Sequence, residues 1–209
     1  DLAHIATNQI DETLMKDAFV GDFSDVTVTA ADAFLYGDAT DSGNTKKDTV
    51  QGILDLVSGG KILQVVNVTD GTVQTGTTAM PDDDTIPQNT EGDQYLSLAI
   101  TPASASNKLL ITVNLFGDGS DDPEVTIGLF QDSTAGALAG GQKLRDGAAN
   151  NVGNITLQHY MTSGTTSSTT FKVRAGIVSG STTTIGGLAG ARKLGGVMNS
   201  TMTIMEISA

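Results

Sequence analysis

From Lys61 to the end of the chain, apolar and polar residues alternate with a period of two. Leu96, Leu98 and Ile100 alternate with Tyr95, Ser97 and Ala99, and Leu109, Ile111, Val113 and Leu115 with Leu110, Thr112 and Asn114. Val125, Ile127 and Leu129 repeat the pattern, as do Ile155, Leu157, His159 and Met161, then Phe171, Val173, Ala175 and Ile177. The last run sets Met202, Ile204 and Glu206 against Thr201, Thr203, Met205 and Ile207. A strand places successive side chains on opposite faces, so this pattern predicts half-buried strands. With the Ile62–Val68 run there are at least seven. Gly-, Asp-, Ser- and Thr-rich clusters separate them: Asp82–Asp84, Gly117–Pro123, Gly147–Gly153, Ser163–Ser168 and Ser179–Thr184. Repeated strands with turns between them predict a jelly-roll-like β-sandwich over 61–209. Leu109-Leu110-Ile111 and Gly128-Leu129-Phe130 put apolar residues on both faces, which predicts an outer face covered by another subunit.

Residues 1–59 follow a different period. Ile10, Leu14 and Ala18, with Met15 and Phe19, share one helix face. Val50, Ile53, Leu54 and Val57 share another, with Asn44 or Thr45 as its cap and Gly59-Gly60 as its stop. Val26, Val28 and Ala33–Tyr36 between them predict a short strand pair. The result is a small α+β segment ahead of a mainly β head. A core of this size is small to stand alone, so docking onto a larger assembly is the functional alternative to an independent unit.

Charge narrows the partners. Twenty-four acidic residues against 11 basic ones give a net charge of −13. The basic clusters, Lys46-Lys47 and Arg192-Lys193, are too small for a phosphate-tracking footprint, so nucleic acid is excluded as a partner. An anionic membrane surface is disfavoured for the same reason, and no apolar run approaches the roughly 18 residues of a spanning helix. Cysteine is absent, which removes disulfides, thiolate metal sites and thiol nucleophiles.

Candidate chemistry is thin. His4 and His159 are the histidines, no Gly-x-Ser-x-Gly elbow occurs, and His159 falls on the inward side of a strand. Asp118, Asp121 and Asp122 form the one candidate metal loop. Calcium takes roughly six to eight hard oxygens from a flexible loop, but this loop lacks EF-hand spacing, and a solvated turn is the alternative. Asp82–Asp84 is a further acidic cluster, and Asp38–Gly43 likewise resembles a loop. A paired-carboxylate glycosidase would need aromatic platforms, and there are three Tyr, six Phe and no Trp. The Gly186–Arg192 stretch lacks the Lys-Ser/Thr of a phosphate loop and predicts a hairpin or an irregular edge.

Residues 11–56 (DETLMKDAFVGDFSDVTVTAADAFLYGDATDSGNTKKDTVQGILDL) and 61–116 (KILQVVNVTDG through NKLLITVNLF), continued by LFQDSTAGALAGG, HYMTSGTTSSTTFKVRAG and GGVMNSTMTIMEI, resemble structural proteins of tailed bacteriophages, notably marine ones. The resemblance covers most of the chain, and its second stretch is the more specific. It implies a non-enzymatic virion protein: a homotrimeric tail fibre or appendage, with residues 1–59 attaching it to other virion proteins. Residues 61–209 would form a head that meets a host surface glycan through the loops near Asp82–Asp84, Gly117–Asp122 and Ser163–Ser168. The layout also resembles trimeric jelly-roll heads of the tumour-necrosis-factor and complement kind, at the level of fold alone. A capsid decoration protein and a carbohydrate-binding lectin module are the alternatives.

Overall fold

The computed structural model describes residues 27–56, 61–120, 124–143, 151–179 and 181–209. The chain divides into two compact units, Asp1–Ser58 and Gly59–Ala209. The predicted helix around Ile10–Phe19 lies outside the described residues.

In the first unit, β1 (Ala33–Asp38) pairs antiparallel with β2 (Asn44–Thr49), and α1 (Val50–Leu56) follows. The strand partner is therefore Asn44–Thr49, a polar segment; Val28 belongs to no strand, and Val26 lies outside the described residues. The turn decides the pairing. Ser42 and Gly43 adopt left-handed φ of 53° and 78°, and Gly43 N–H donates to the Asp38 carbonyl at 2.8 Å. The Asp38 carboxylate also accepts from Thr40 N–H and Oγ1, and Lys46 pairs with Asp41 at 2.5 Å. The cap of α1 shifts too: Thr49 Oγ1 accepts from Gly52 N–H, where Asn44 or Thr45 was expected.

The second unit is a sandwich of two antiparallel sheets. One has the order β5 (Asp93–Ile100), β10 (Thr169–Gly176), β7 (Thr126–Gln131) and β8 (Ala139–Gln142). The other runs β3 (Ile62–Asp70), β14 (Ser200–Ile207), β6 (Lys108–Gly119), β11 (Thr183–Ile185) and β4 (Gln74–Gly76), with β9 (Gly153–Thr162) also on β6. A small hairpin, β12 (Gly187–Leu188) and β13 (Ala191–Arg192), occupies the glycine-rich stretch.

The period-two residues fill the space between the sheets. Leu109, Ile111, Val113 and Leu115 from β6 meet Ile127 and Leu129 from β7 and Phe171 and Val173 from β10 in one buried cluster. Each such aliphatic side chain contributes about 1.5–3 kcal/mol when fully buried. The alternation fails at Tyr95. A register shift between Val173 and Arg174 pairs Leu96 with Val173 but Gln94 with Arg174, and the resulting bulge buries Tyr95 beside Leu96. Phe130 also departs from expectation. It points away from the core yet is 1% exposed, because its ring lies over Gly128 beside Ala137. Cover for this outward apolar residue thus comes from the chain itself, not from another subunit.

Glu206 stands on the core side of β14 with no exposed surface. It accepts from Asn107 Nδ2 and Gln64 Nε2, each at 2.5 Å, and from Ala103 N–H at 2.8 Å. Burial opposes its ionisation, but the Asn107, Gln64, Ala103 and Ser104 hydrogen bonds outweigh that and hold its pKa below the ordinary 4.5. A folded pKa below the unfolded one stabilises the fold above the unfolded value, and the gain disappears as pH falls through the folded value. Unfolding free energy should therefore decline as the pH is lowered from 5 toward 3. Glu206→Gln should lower it by about 2 kcal/mol at pH 7 and make the acid decline shallower in urea titrations. An unchanged acid limb would contradict this role.

Candidate interaction surfaces

The register of the larger sheet determines what its outer side presents. Val65 pairs with Met205, Met205 with Leu110, and Leu110 with Tyr160, giving one apolar row across β3, β14, β6 and β9. Val65 is 53% exposed and Tyr160 58%, with Ile62 and Leu63 open at the β3 end. The next rows are polar and uncharged: Asn67, Thr203, Thr112 and Gln158, then Thr69, Thr201, Asn114 and Thr156. Lys108 closes one end and donates to Thr162 Oγ1. None of the chain's 24 carboxylates lies in these rows.

The outer side of the smaller sheet carries a cleft of about 300 Å³, lined by Asn89, Gln94, Asp132, Ser133, Lys172 and Arg174 over Phe130. Lys172 and Arg174 are outward residues of β10. Arg174 donates through Nε to the Glu91 carbonyl at 2.8 Å and through Nη2 to the Gly92 carbonyl at 2.6 Å. That fastens a turn whose Gly92 has φ of 61°, where an added Cβ would come within 2.6 Å of the Ala175 carbonyl oxygen. Asn89 ties the turn to the next loop by donating to the Ser133 and Thr134 carbonyls. Asp132 has left-handed φ of 51°, and its carboxylate accepts from Thr169 Oγ1 and Thr170 N–H.

No family model matches the sequence, and no curated protein does. Among solved structures, the chain is similar to Eiger TNF from S. frugiperda, with TM-score 0.43, 9% identity, 70% of this chain and 93% of that one. It is also similar to the EclA C-terminal domain, a sugar-binding protein, with TM-score 0.34, 20% identity and coverage of 60% and 81%. A third is dimeric latent PorU from Porphyromonas gingivalis, with TM-score 0.35, 5% identity, 84% of this chain and 18% of that one. Likeness at this level assigns the chain neither a family nor a ligand.

The residues singled out in the sequence fall elsewhere. Asp118 is not in an exposed turn: β6 runs on through Gly119, and Asp118 pairs with Thr184 of β11. Gly117 permits that approach, since a Cβ there would meet Ile185 Cδ1 at 2.9 Å. The Asp118 side chain is 1% exposed, and neither carboxylate oxygen has a hydrogen-bond partner among the described residues. Asp121 and Asp122 lie outside those residues. No set of three His, Asp or Glu among the described residues is placed to hold a metal. Asp82–Asp84 are exposed, and Asp83 accepts from Thr85 N–H and Oγ1 within its own turn. Ser163 is buried, while Gly164 and Thr166–Ser168 of that loop are open. His159 faces inward on β9 opposite Ile111, as the alternation predicts.

The cleft was not visible as a site in the sequence, because its six polar residues come from three separated segments, 89–94, 132–133 and 172–174. Alternation does place Lys172 and Arg174 outward, but nothing local links them to Asn89 or Asp132.

An unpaired buried carboxylate is costly. Asp118→Asn keeps the shape without an ionisable group, so it should raise the unfolding free energy by about 1–2 kcal/mol in chelator. Calcium should leave the wild-type melting temperature unchanged. A calcium-dependent rise in the wild type, abolished in the variant, would instead assign Asp118 to a cation.

Proposed function

We propose that the protein is a non-enzymatic structural component of a tailed-phage virion, a homotrimeric fibre or appendage whose sandwich unit self-associates through the outer side of its larger sheet. The observation that carries this reading is the Val65–Met205–Leu110–Tyr160 row, open at Val65 and Tyr160, beside two polar rows that hold no carboxylate.

A chain of net charge −13 repels its own copies over most of its surface. Rows without carboxylates are where two copies approach at least electrostatic cost, and burying the apolar one supplies the attraction. A basic partner would be drawn to the acidic turns instead. Three-fold association is what the phage resemblance adds. The attachment role of residues 1–59 is supported by the first unit, where no residue among 27–56 is buried and Leu35 and Leu56 are 72% and 81% exposed.

Sedimentation at micromolar concentration should give three times the 21.4 kDa chain mass. Val65→Asp should return it to a monomer with an unchanged circular dichroism spectrum. A monomeric wild type would overturn the proposal. The virion assignment has its own test, a mass-spectrometric count of this protein against the major capsid protein in purified particles. A few copies per hundred capsid subunits is the expected result. A ratio near one to one would make it a capsid decoration protein, and absence would remove it from the virion.

A further inference from the structure

The cleft on the smaller sheet has spare hydrogen-bonding capacity on groups that are already held in place. Arg174 uses two of its five N–H donors on the Glu91 and Gly92 carbonyls, leaving three. Lys172 uses one of three on the Asp132 carbonyl at 2.9 Å, leaving two. Asn89 commits its amide hydrogens to Ser133 and Thr134, which leaves its Oδ1 as an acceptor. The Gln94 side chain makes no hydrogen bond among the described residues and offers both a donor and an acceptor. Neither cation forms an ion pair among the described residues.

The charges here partly cancel, since Lys172 and Arg174 share the lining with the Asp132 carboxylate. A phosphate or carboxylate would meet a carboxylate as well as the two cations. A hydroxyl, which donates and accepts at once, fits such a mixed lining. Planar amide, carboxylate and guanidinium groups also suit a pair of adjacent hydroxyls, which they can engage with two parallel hydrogen bonds. The volume, about 300 Å³, is at the small end for ligand pockets. The 1% exposure of Phe130 leaves no aromatic platform, so the contacts are mainly polar.

We propose that this cleft binds one uncharged saccharide unit through its hydroxyls, using Gln94, Asn89, Asp132, Lys172 and Arg174. The affinity of a single cleft is weak, about millimolar, and several heads on one assembly would raise it by avidity. The inference does not rest on the virion assignment or on self-association.

The test is saturation-transfer NMR on the full chain with glucose, galactose, mannose, N-acetylglucosamine and glucuronate. Transfer to at least one neutral sugar is expected. Binding should weaken about tenfold in Gln94→Ala and Lys172→Met, both outward on strands, with circular dichroism unchanged. Ser167→Ala, in the exposed loop, should bind as the wild type does. No transfer to any neutral sugar, or transfer unaffected by both cleft variants, would overturn the inference. Binding confined to glucuronate and lost on adding salt would also overturn it, making the cleft an anion site. Any of these results with the oligomer intact would leave the proposed function standing.

Discussion

The sandwich depends on one buried carboxylate. Glu206 sits on β14, between β3 and β6, and takes hydrogen bonds from Gln64 of β3 and from Ala103 and Asn107 in the segment that carries the chain from β5 to β6. That segment joins the two sheets. Stripped of water, a lone carboxylate would be strongly destabilising, so its donors must all be in position together. Asn107 extends the link: its side-chain oxygen accepts from Ala209 N–H and its carbonyl from Ser163 N–H. Ser208 N–H in turn closes onto the Lys61 carbonyl. The start of β3, the sheet crossing, the end of β9 and the last residues thereby converge on one polar knot at the end of an apolar core.

With the two sheets fixed by that knot and by the core, their outer sides carry different chemistry. The larger sheet presents a partly apolar row and two uncharged polar ones. The smaller one holds a cleft whose polar groups are braced by backbone carbonyls and turns. Exclusion of water favours the first as a contact between copies, and unspent donors and acceptors favour the second as a small-ligand site. Both follow from which residue of each alternating pair faces outward, so one register error would erase both.

The strands that form the core were legible in the sequence because each has one face buried and one open. Leu109 to Leu115, Phe171 to Ala175 and Met202 to Glu206 all face as their alternation predicts. Even the inward position of Glu206 could be read, though not its partners, which lie 99 to 142 residues away. Three features were hidden for physical reasons. β2 is polar on both sides and owes its pairing to a left-handed turn. The bulge at Tyr95 depends on the register of a strand some 80 residues later. Asp118 reads as part of an acidic turn, yet glycines around it let β11 close over the strand. The cleft was hidden for a related cause, since long-range strand pairing alone assembles it.

The central claim is that the larger sheet's outer side is the face covered in the assembled protein. The chain has no cysteine, so single cysteines report cleanly. Gln158→Cys on the larger sheet and Ser97→Cys on the smaller one are both exposed in a single chain. Their reaction rates with a thiol reagent should be compared across protein concentration. The account predicts that the cysteine at position 158 becomes protected as concentration rises while that at 97 reacts fast throughout. Equal rates at every concentration, or protection at 97 instead, would contradict it.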